Sequence, residues 1–191
     1  MRAAALLLSV AAAACGGATA QAQTVVGPPH NEADVRFVTG MIAHHGQALE
    51  MAALVPDRAT RPDVRLMAER IQVSQRDEIA LMERWLQAHG EPVPSADSVH
   101  AHHHGGAHAQ MPGMLTPEEM QRLAAASGAE FDRLFLELMI RHHEGALMMV
   151  AELFGTPGGG QQSSVFHIAN EVDADQRMEI DRMRTMLAGA P

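Results

Sequence analysis

The most constraining feature of this sequence is a motif that occurs twice. The segment FVTGMIAHHGQALEM at residues 37–51 returns as FLELMIRHHEGALMM at residues 135–149, and both copies keep the histidine pair. A weaker match follows each copy, because residues 64–86 share eight aligned identities with residues 165–187. This order predicts a fold of two equivalent halves, each made of a first and a second segment.

Both segments have the spacing of amphipathic helices. In the first motif, one helical face recurs at intervals of three or four residues: Phe37, Met41, His44, Ala48 and Met51. The opposite face carries Thr39, Gly46, Gln47 and Glu50. A stripe of this width predicts a helix with one half buried against neighbouring helices.

Four long helices with half-apolar faces bury those faces most simply against one another. We therefore predict an all-α fold, a four-helix bundle made of a duplicated helical hairpin, within residues 31–188. The first hairpin spans 31–90 and the second 116–188, where a capped turn at Thr116 begins a short helix that ends near Gly128. The crossover 91–115 between them has no periodicity and is rich in Pro, His and Gly, which predicts a loop.

Residues 1–22 have the pattern of a signal peptide, with Arg2 before an apolar stretch too short to span a membrane and small residues at the end. Cleavage there removes Cys15, the only cysteine. A lipoprotein anchored at Cys15 is the alternative, although Ala12 replaces the usual large aliphatic residue. We expect a periplasmic or secreted protein without a transmembrane segment in the mature chain. A formal net charge of -9 and 3% aromatic residues argue against nucleic acid as a partner.

Methionine and histidine side chains share the apolar faces of the repeated motif. The candidate metal ligands are Met41, His44, His45, Met51, Met139, His142, His143 and Met149, followed by Met82 and Met183. Thioether and imidazole without thiolate form a ligand set for Cu(I) and, by analogy, Ag(I), while imidazole alone also suits Cu(II). The alternative is that the methionines fill the core and the histidines are structural.

Polar residues of the second segments fall inside or beside their apolar stripes, at Gln75, Glu78, Gln176 and Glu179. They are suited to hydrogen bond the histidines and fix the orientation of the rings around a metal. A polar layer that sets the register of the helices is an equally good and compatible interpretation.

The crossover contains a second group of candidate metal ligands. These are His100, His102, His103, His104, His108, Met111 and Met114. A histidine-rich tract of this kind is typical of accessory binding of divalent metals, and a low-complexity linker is the alternative.

Several enzyme motifs are absent from the sequence. No Glu-x-x-His, His-Glu-x-x-His or glycine-rich phosphate loop occurs, and no cysteine is suited to act as a nucleophile. We therefore predict a protein that is not an enzyme.

The motifs Phe-x₃-Met-Ile-x-His-His-x₂-Ala-Leu-x-Met and Gln-x₂-Glu-Ile-x₂-Met resemble those of a secreted family, domain of unknown function 305. Periplasmic copper-binding proteins of the CopM type belong to that family. The resemblance covers residues 31–188 and implies a ferritin-like helical bundle, export, and copper binding in some members. The Met and His positions of both motifs in this sequence match the motif of that family.

The sequence thus favours an exported protein that sequesters or traffics Cu(I) and contributes to copper tolerance, with a copper donor or acceptor protein as a partner. A helical partner-binding or stress module with structural histidines is the first alternative. A metal-dependent oxidoreductase is the second, and the lack of acidic ligand motifs argues against it.

Overall fold

The computed structural model describes residues 28–94 and 111–189. These residues contain six helices and no strand: α1 (Glu32–Ala53), α2 (Val55–Arg58), α3 (Pro62–Ala88), α4 (Pro117–Ala125), α5 (Gly128–Gly155) and α6 (Ser163–Ala188). The predicted signal peptide and the histidines of the crossover, residues 100–108, lie outside the described residues. Within these two described ranges, no helix is both long enough and apolar enough to cross a membrane.

The four long helices form two hairpins. Helix α1 packs along α3, α5 packs along α6, and the two hairpins meet mainly through α1 and α5. This arrangement confirms the prediction of an all-α fold, whereas the ferritin-like form of the bundle remains a prediction.

The ends of the helices follow the local sequence signals. Asn31 caps α1 and Thr116 caps α4, and each forms a capping box with an acidic residue three positions later. Pro62 begins α3. Pro56 lies in the single turn of α2. Helix α4 ends at Ala125, slightly before the predicted end.

Two buried aspartates at equivalent positions of the repeat hold the connections between helices. Asp34 accepts a hydrogen bond from the Gly160 amide at 2.7 Å, in the connection between α5 and α6. Asp132 accepts bonds from the Thr60 amide at 3.1 Å and the Arg61 amide at 3.1 Å, before α3. Each repeat therefore fixes the connection of the other, and the two hairpins are held together by hydrogen bonds from backbone amides to buried carboxylates.

The core is divided into two apolar clusters by a layer of polar side chains. One cluster contains Met51, Met139 and Met183. The other contains Met41, Met82 and Met149. Because α1 and α5 run antiparallel, the methionine before the histidines of one helix lies level with the methionine after the histidines of the other. The duplication thus places three repeat-matched methionines on each side of the polar layer, and we call these two sets the methionine triplets; Met67 and Met186 also belong to the first cluster.

Candidate metal centre

The two repeated motifs meet at their histidines. His44 and His45 of α1, and His142 and His143 of α5, are all fully buried. The rings of His44 and His142 face each other with 3.9 Å between centroids and an interplanar angle of 37°. We call these four residues the histidine layer. The sequence predicts that these histidines are buried, but not that α1 and α5 meet at them.

Three of the four imidazoles are held through Nε2. His45 Nε2 lies 2.5 Å from Oε2 of Glu78, and His143 Nε2 lies 2.6 Å from Oε2 of Glu179. His44 Nε2 donates to the carbonyl oxygen of Pro112 at 3.1 Å. Since carboxylates and carbonyls accept hydrogen bonds, these contacts favour the tautomer with hydrogen on Nε2. The lone pair of each of these rings is then on Nδ1.

The Nδ1 atoms of all four histidines are buried and have no hydrogen-bond partner among the described residues, and neither has Nε2 of His142. A buried polar atom without a partner costs free energy, so five such nitrogens in one layer require an explanation. An imidazole nitrogen that carries a lone pair and is oriented through its other nitrogen is in the state that a metal ligand needs.

The surroundings keep the central imidazoles uncharged. Burial, reinforced by the neighbouring His45, lowers the pKa of His44 from 6.5 to about 3. Burial also lowers the pKa of His142 well below its usual value, and the nearby His44 and His143 add to this effect. Both rings are therefore neutral at physiological pH, and their lone pairs are not blocked by protons.

The polar residues of α3 and α6 divide into two groups. Glu78 and Glu179 make the hydrogen bonds to histidine that the sequence suggested. Gln75 and Gln176 are buried in the same layer, but both atoms of the Gln75 amide and Oε1 of Gln176 have no partner in the described part of the chain. These amides do not orient the rings through hydrogen bonds in this structure.

The layer is not a preformed site for a metal that needs several nitrogen or oxygen ligands. Among residues 28–94 and 111–189, no three His, Cys, Asp or Glu side chains are placed to hold one ion. The additional donors next to the layer are the thioethers of the two methionine triplets. This donor set fits a soft monovalent ion such as Cu(I) better than Zn(II), which prefers four ligands in a tetrahedron.

The end of the crossover, residues 111–115, covers the histidine layer on one side, and we call it the covering segment. Gln47 holds this segment by accepting a hydrogen bond from the Leu115 amide at 2.7 Å and donating to the Leu115 carbonyl at 3.0 Å. Gly113 has a φ of 76°, and a Cβ at this position would lie 2.6 Å from the Arg141 carbonyl oxygen. The backbone therefore packs directly on α5, an approach that only glycine permits.

This contact corrects the prediction that Gln47 lies on the solvent side of α1. Gln47 is fully buried because the crossover returns over that face of the helix. Helical periodicity could not reveal the cover, since the covering residues are distant in sequence. Met111 and Met114 belong to this segment and are half-buried, so both are part of the folded domain.

A group of aromatic and polar residues near one end of the bundle was not expected from the sequence. His89 stacks on Trp85 with 4.4 Å between ring centroids, and His30 lies 4.9 Å from His89. His30 also hydrogen bonds to Glu91 at 3.0 Å. His30 precedes α1 and His89 follows α3. Helical periodicity describes only residues within a helix, so it could not predict that these two histidines come together.

Comparison with known proteins gives consistent results for the fold. The model of a family described as domain of unknown function (DUF305) matches residues 34–187. A DUF305 fragment from Deinococcus radiodurans is 34% identical, with a TM-score of 0.72 over 84% of this chain and 99% of that one. A DUF305 protein from Streptomyces coelicolor, described as secreted, is 31% identical, with a TM-score of 0.68 over 82% of this chain and 92% of that one.

The structure of CopM with Cu(I) bound is 26% identical, with a TM-score of 0.62 over 81% of this chain and 95% of that one. Further structures of CopM contain Cu(II) or Ag. No curated protein sequence matches the chain. The agreement of the family motif with the helical fold over nearly all of the described residues leads to one conclusion: the chain belongs to the DUF305 family.

Proposed function

We propose that this protein binds Cu(I) as cargo in the histidine layer and sequesters it or transfers it to a partner protein, without catalysing a reaction. The observation that carries the proposal is the set of four buried Nδ1 atoms without partners, at duplicated positions. Nitrogens in this state are available to a metal and costly to leave without a ligand.

Three further features support Cu(I) in particular. The central imidazoles are neutral, so an ion does not have to displace protons from them. The methionine triplets on both sides of the layer offer thioethers, which are ligands suited to Cu(I). The similarity to CopM, whose structures contain Cu(I), Cu(II) or Ag, is a further argument for a copper protein.

The direct test is an anaerobic Cu(I) competition titration against a chromophoric chelator. The double variant His44→Ala, His142→Ala should lose most of the affinity, while His167→Gln, at an exposed position of α6, should retain it. Circular dichroism must show that both variants are folded. Unchanged Cu(I) affinity in a folded double variant would refute the proposed site.

The crossover histidines require a separate variant. Replacing His100, His102, His103, His104 and His108 with serine leaves the covering segment from Met111 onward intact. If tight Cu(I) binding survives this change, the site is in the bundle. If binding is lost, these histidines are the working site and the histidine layer is structural.

A helical module with structural histidines is the second candidate function. It is favoured by the two carboxylate–histidine hydrogen bonds, which satisfy His45 and His143 in part without any metal. It predicts no tight metal binding in the wild type and a loss of stability in the histidine variants. The same titration, combined with urea unfolding, distinguishes the two.

Export is part of the proposal. We propose that residues 1–22 direct the chain out of the cytoplasm, where a site of thioether and imidazole avoids the oxidation to which thiolates are prone. Mass spectrometry of the protein from the periplasmic fraction should show cleavage after Ala20 or Ala22. A mass that includes a lipid on Cys15 would support the anchored form.

A further inference from the structure

A groove open to solvent lies between α1, α5 and the covering segment. Its volume is 480 Å³, and its walls include Phe37 and Gly40 of α1, Met149 of α5, and Met111 and Pro112 of the covering segment. The groove therefore unites a methionine of the crossover with a methionine of the repeated motif, which are 38 positions apart in sequence.

The two methionines converge above Gly40. A Cβ at Gly40 would lie 3.2 Å from Cε of Met149 and 3.5 Å from Sδ of Met111. Glycine within a helix costs about 1 kcal/mol relative to alanine, so its presence here has an energetic cost. The space that it leaves is occupied by the ends of two flexible thioether side chains.

The inner wall of the groove is in direct contact with the histidine layer. Pro112 lines the groove, and its carbonyl oxygen accepts the hydrogen bond from Nε2 of His44. Met149 lines the groove and also belongs to the apolar cluster that contains Met41 and Met82, beside the layer. The groove is thus a point at which solvent comes close to the proposed site through side chains that bind soft metals.

The lining of the groove carries no net positive charge. Glu152 and Arg36 both line it, and Arg36 also lies 3.5 Å from the carboxylate of Glu32. A thioether is uncharged and binds a soft ion without losing a proton, so it can exchange such an ion rapidly.

We propose that this groove is an entry site for a soft monovalent ion, at which the thioethers of Met111 and Met149 bind Cu(I) or Ag(I) before it moves to the histidine layer. Binding in the groove stands on its own geometry, whereas the onward transfer rests on the proposed function. The step is an exchange of neutral ligands around one ion and involves no change in oxidation state.

Binding in the groove is tested with Ag(I), which is stable in air, on protein labelled with ¹³C at the methionine methyl groups. The signals of Met111 and Met149 should move on addition of Ag(I), and that of the exposed Met148 should not. In His44→Ala, His142→Ala, the Met111 signal should still respond. A Met111 signal that does not move in the wild type overturns the proposal, whatever happens in the histidine layer.

The role in entry is tested by stopped-flow transfer of Cu(I) from a chromophoric chelator. Met111→Leu should slow loading about tenfold, equivalent to about 1.4 kcal/mol, because it weakens binding in the groove, while the ion finally held in the histidine layer keeps its ligands. Met148→Leu is the matched control and should load at the wild-type rate. Equal rates for both variants would overturn the entry role while leaving Cu(I) binding in the bundle intact. Absence of Cu(I) binding in the wild type would refute the proposed function and the transfer step, but not the Ag(I) response of Met111.

Discussion

Acidification should destabilise the metal-free protein through its two central histidines. The pKa of His44 is about 3 in the folded state, against 6.5 for a free side chain, and that of His142 is also lowered. Between these values the unfolded chain binds protons that the folded protein excludes. Stability is therefore greatest above the unfolded pKa of 6.5 and falls as the pH decreases toward the folded pKa.

The size of the effect follows from proton linkage. A histidine that stays neutral in the folded protein loses about 1.4 kcal/mol for each pH unit below its unfolded pKa, so going from about pH 7 to about pH 5 costs about 2 kcal/mol. His44 alone then accounts for about 2 kcal/mol, a sizeable part of the typical 5–15 kcal/mol stability of a domain. His142, whose pKa is also lowered by burial, adds to the loss in the same direction.

Urea unfolding at the two pH values measures this loss. Other groups also titrate in this range, so the comparison between variants is decisive. His44→Gln should reduce the pH-dependent loss by about 2 kcal/mol, because the proton that this imidazole excludes from the folded protein is no longer involved. The exposed His167→Gln should retain the wild-type loss. The same loss in His44→Gln as in the wild type would show that burial of this imidazole does not control the response.

Three further substitutions test the contacts that hold the domain together, each by the urea concentration at the midpoint of unfolding. Gly113→Ala should cost about 3 kcal/mol more than Gly90→Ala, because both have positive φ but only Gly113 faces a backbone oxygen, that of Arg141 at 2.6 Å. Equal losses would mean that the covering segment moves away without cost. Asp132→Ala should destabilise by about 3 kcal/mol, since it removes the buried carboxylate that accepts hydrogen bonds from the Thr60 and Arg61 amides before α3. Gln47→Leu should destabilise by about 2 kcal/mol through loss of both hydrogen bonds to the covering segment, and a neutral result would contradict the importance of this attachment.

The local features of the fold could be predicted from the sequence because they depend on neighbouring residues. The spacing of three and four in the repeated motif identifies the helices and their buried faces, and the capping boxes at Asn31 and Thr116 mark two of the starts. The duplication further indicates that two equivalent halves form the domain. These signals do not specify which helix lies opposite a given face.

The arrangement of the candidate site was decided by contacts between distant segments. The sequence predicts that His44 and His142 lie inside the bundle and that Glu78 lies close to the histidines. It did not show that His44 donates to the carbonyl of Pro112, or that Met111 meets Met149 above a glycine. Backbone carbonyls carry no sequence signature, so a bond to one of them is visible only in three dimensions.

The sequence by itself determined that the chain forms amphipathic helices in two equivalent halves, with histidine and methionine on the buried faces, because periodicity and capping act within a few residues. Only the tertiary structure decided that α1 and α5 run antiparallel, so that the methionines form a triplet on each side of the histidine layer. It also decided that Gln47 is buried beneath the crossover. Both outcomes depend on which surfaces come into contact, and the free energy of that contact is a property of the whole fold.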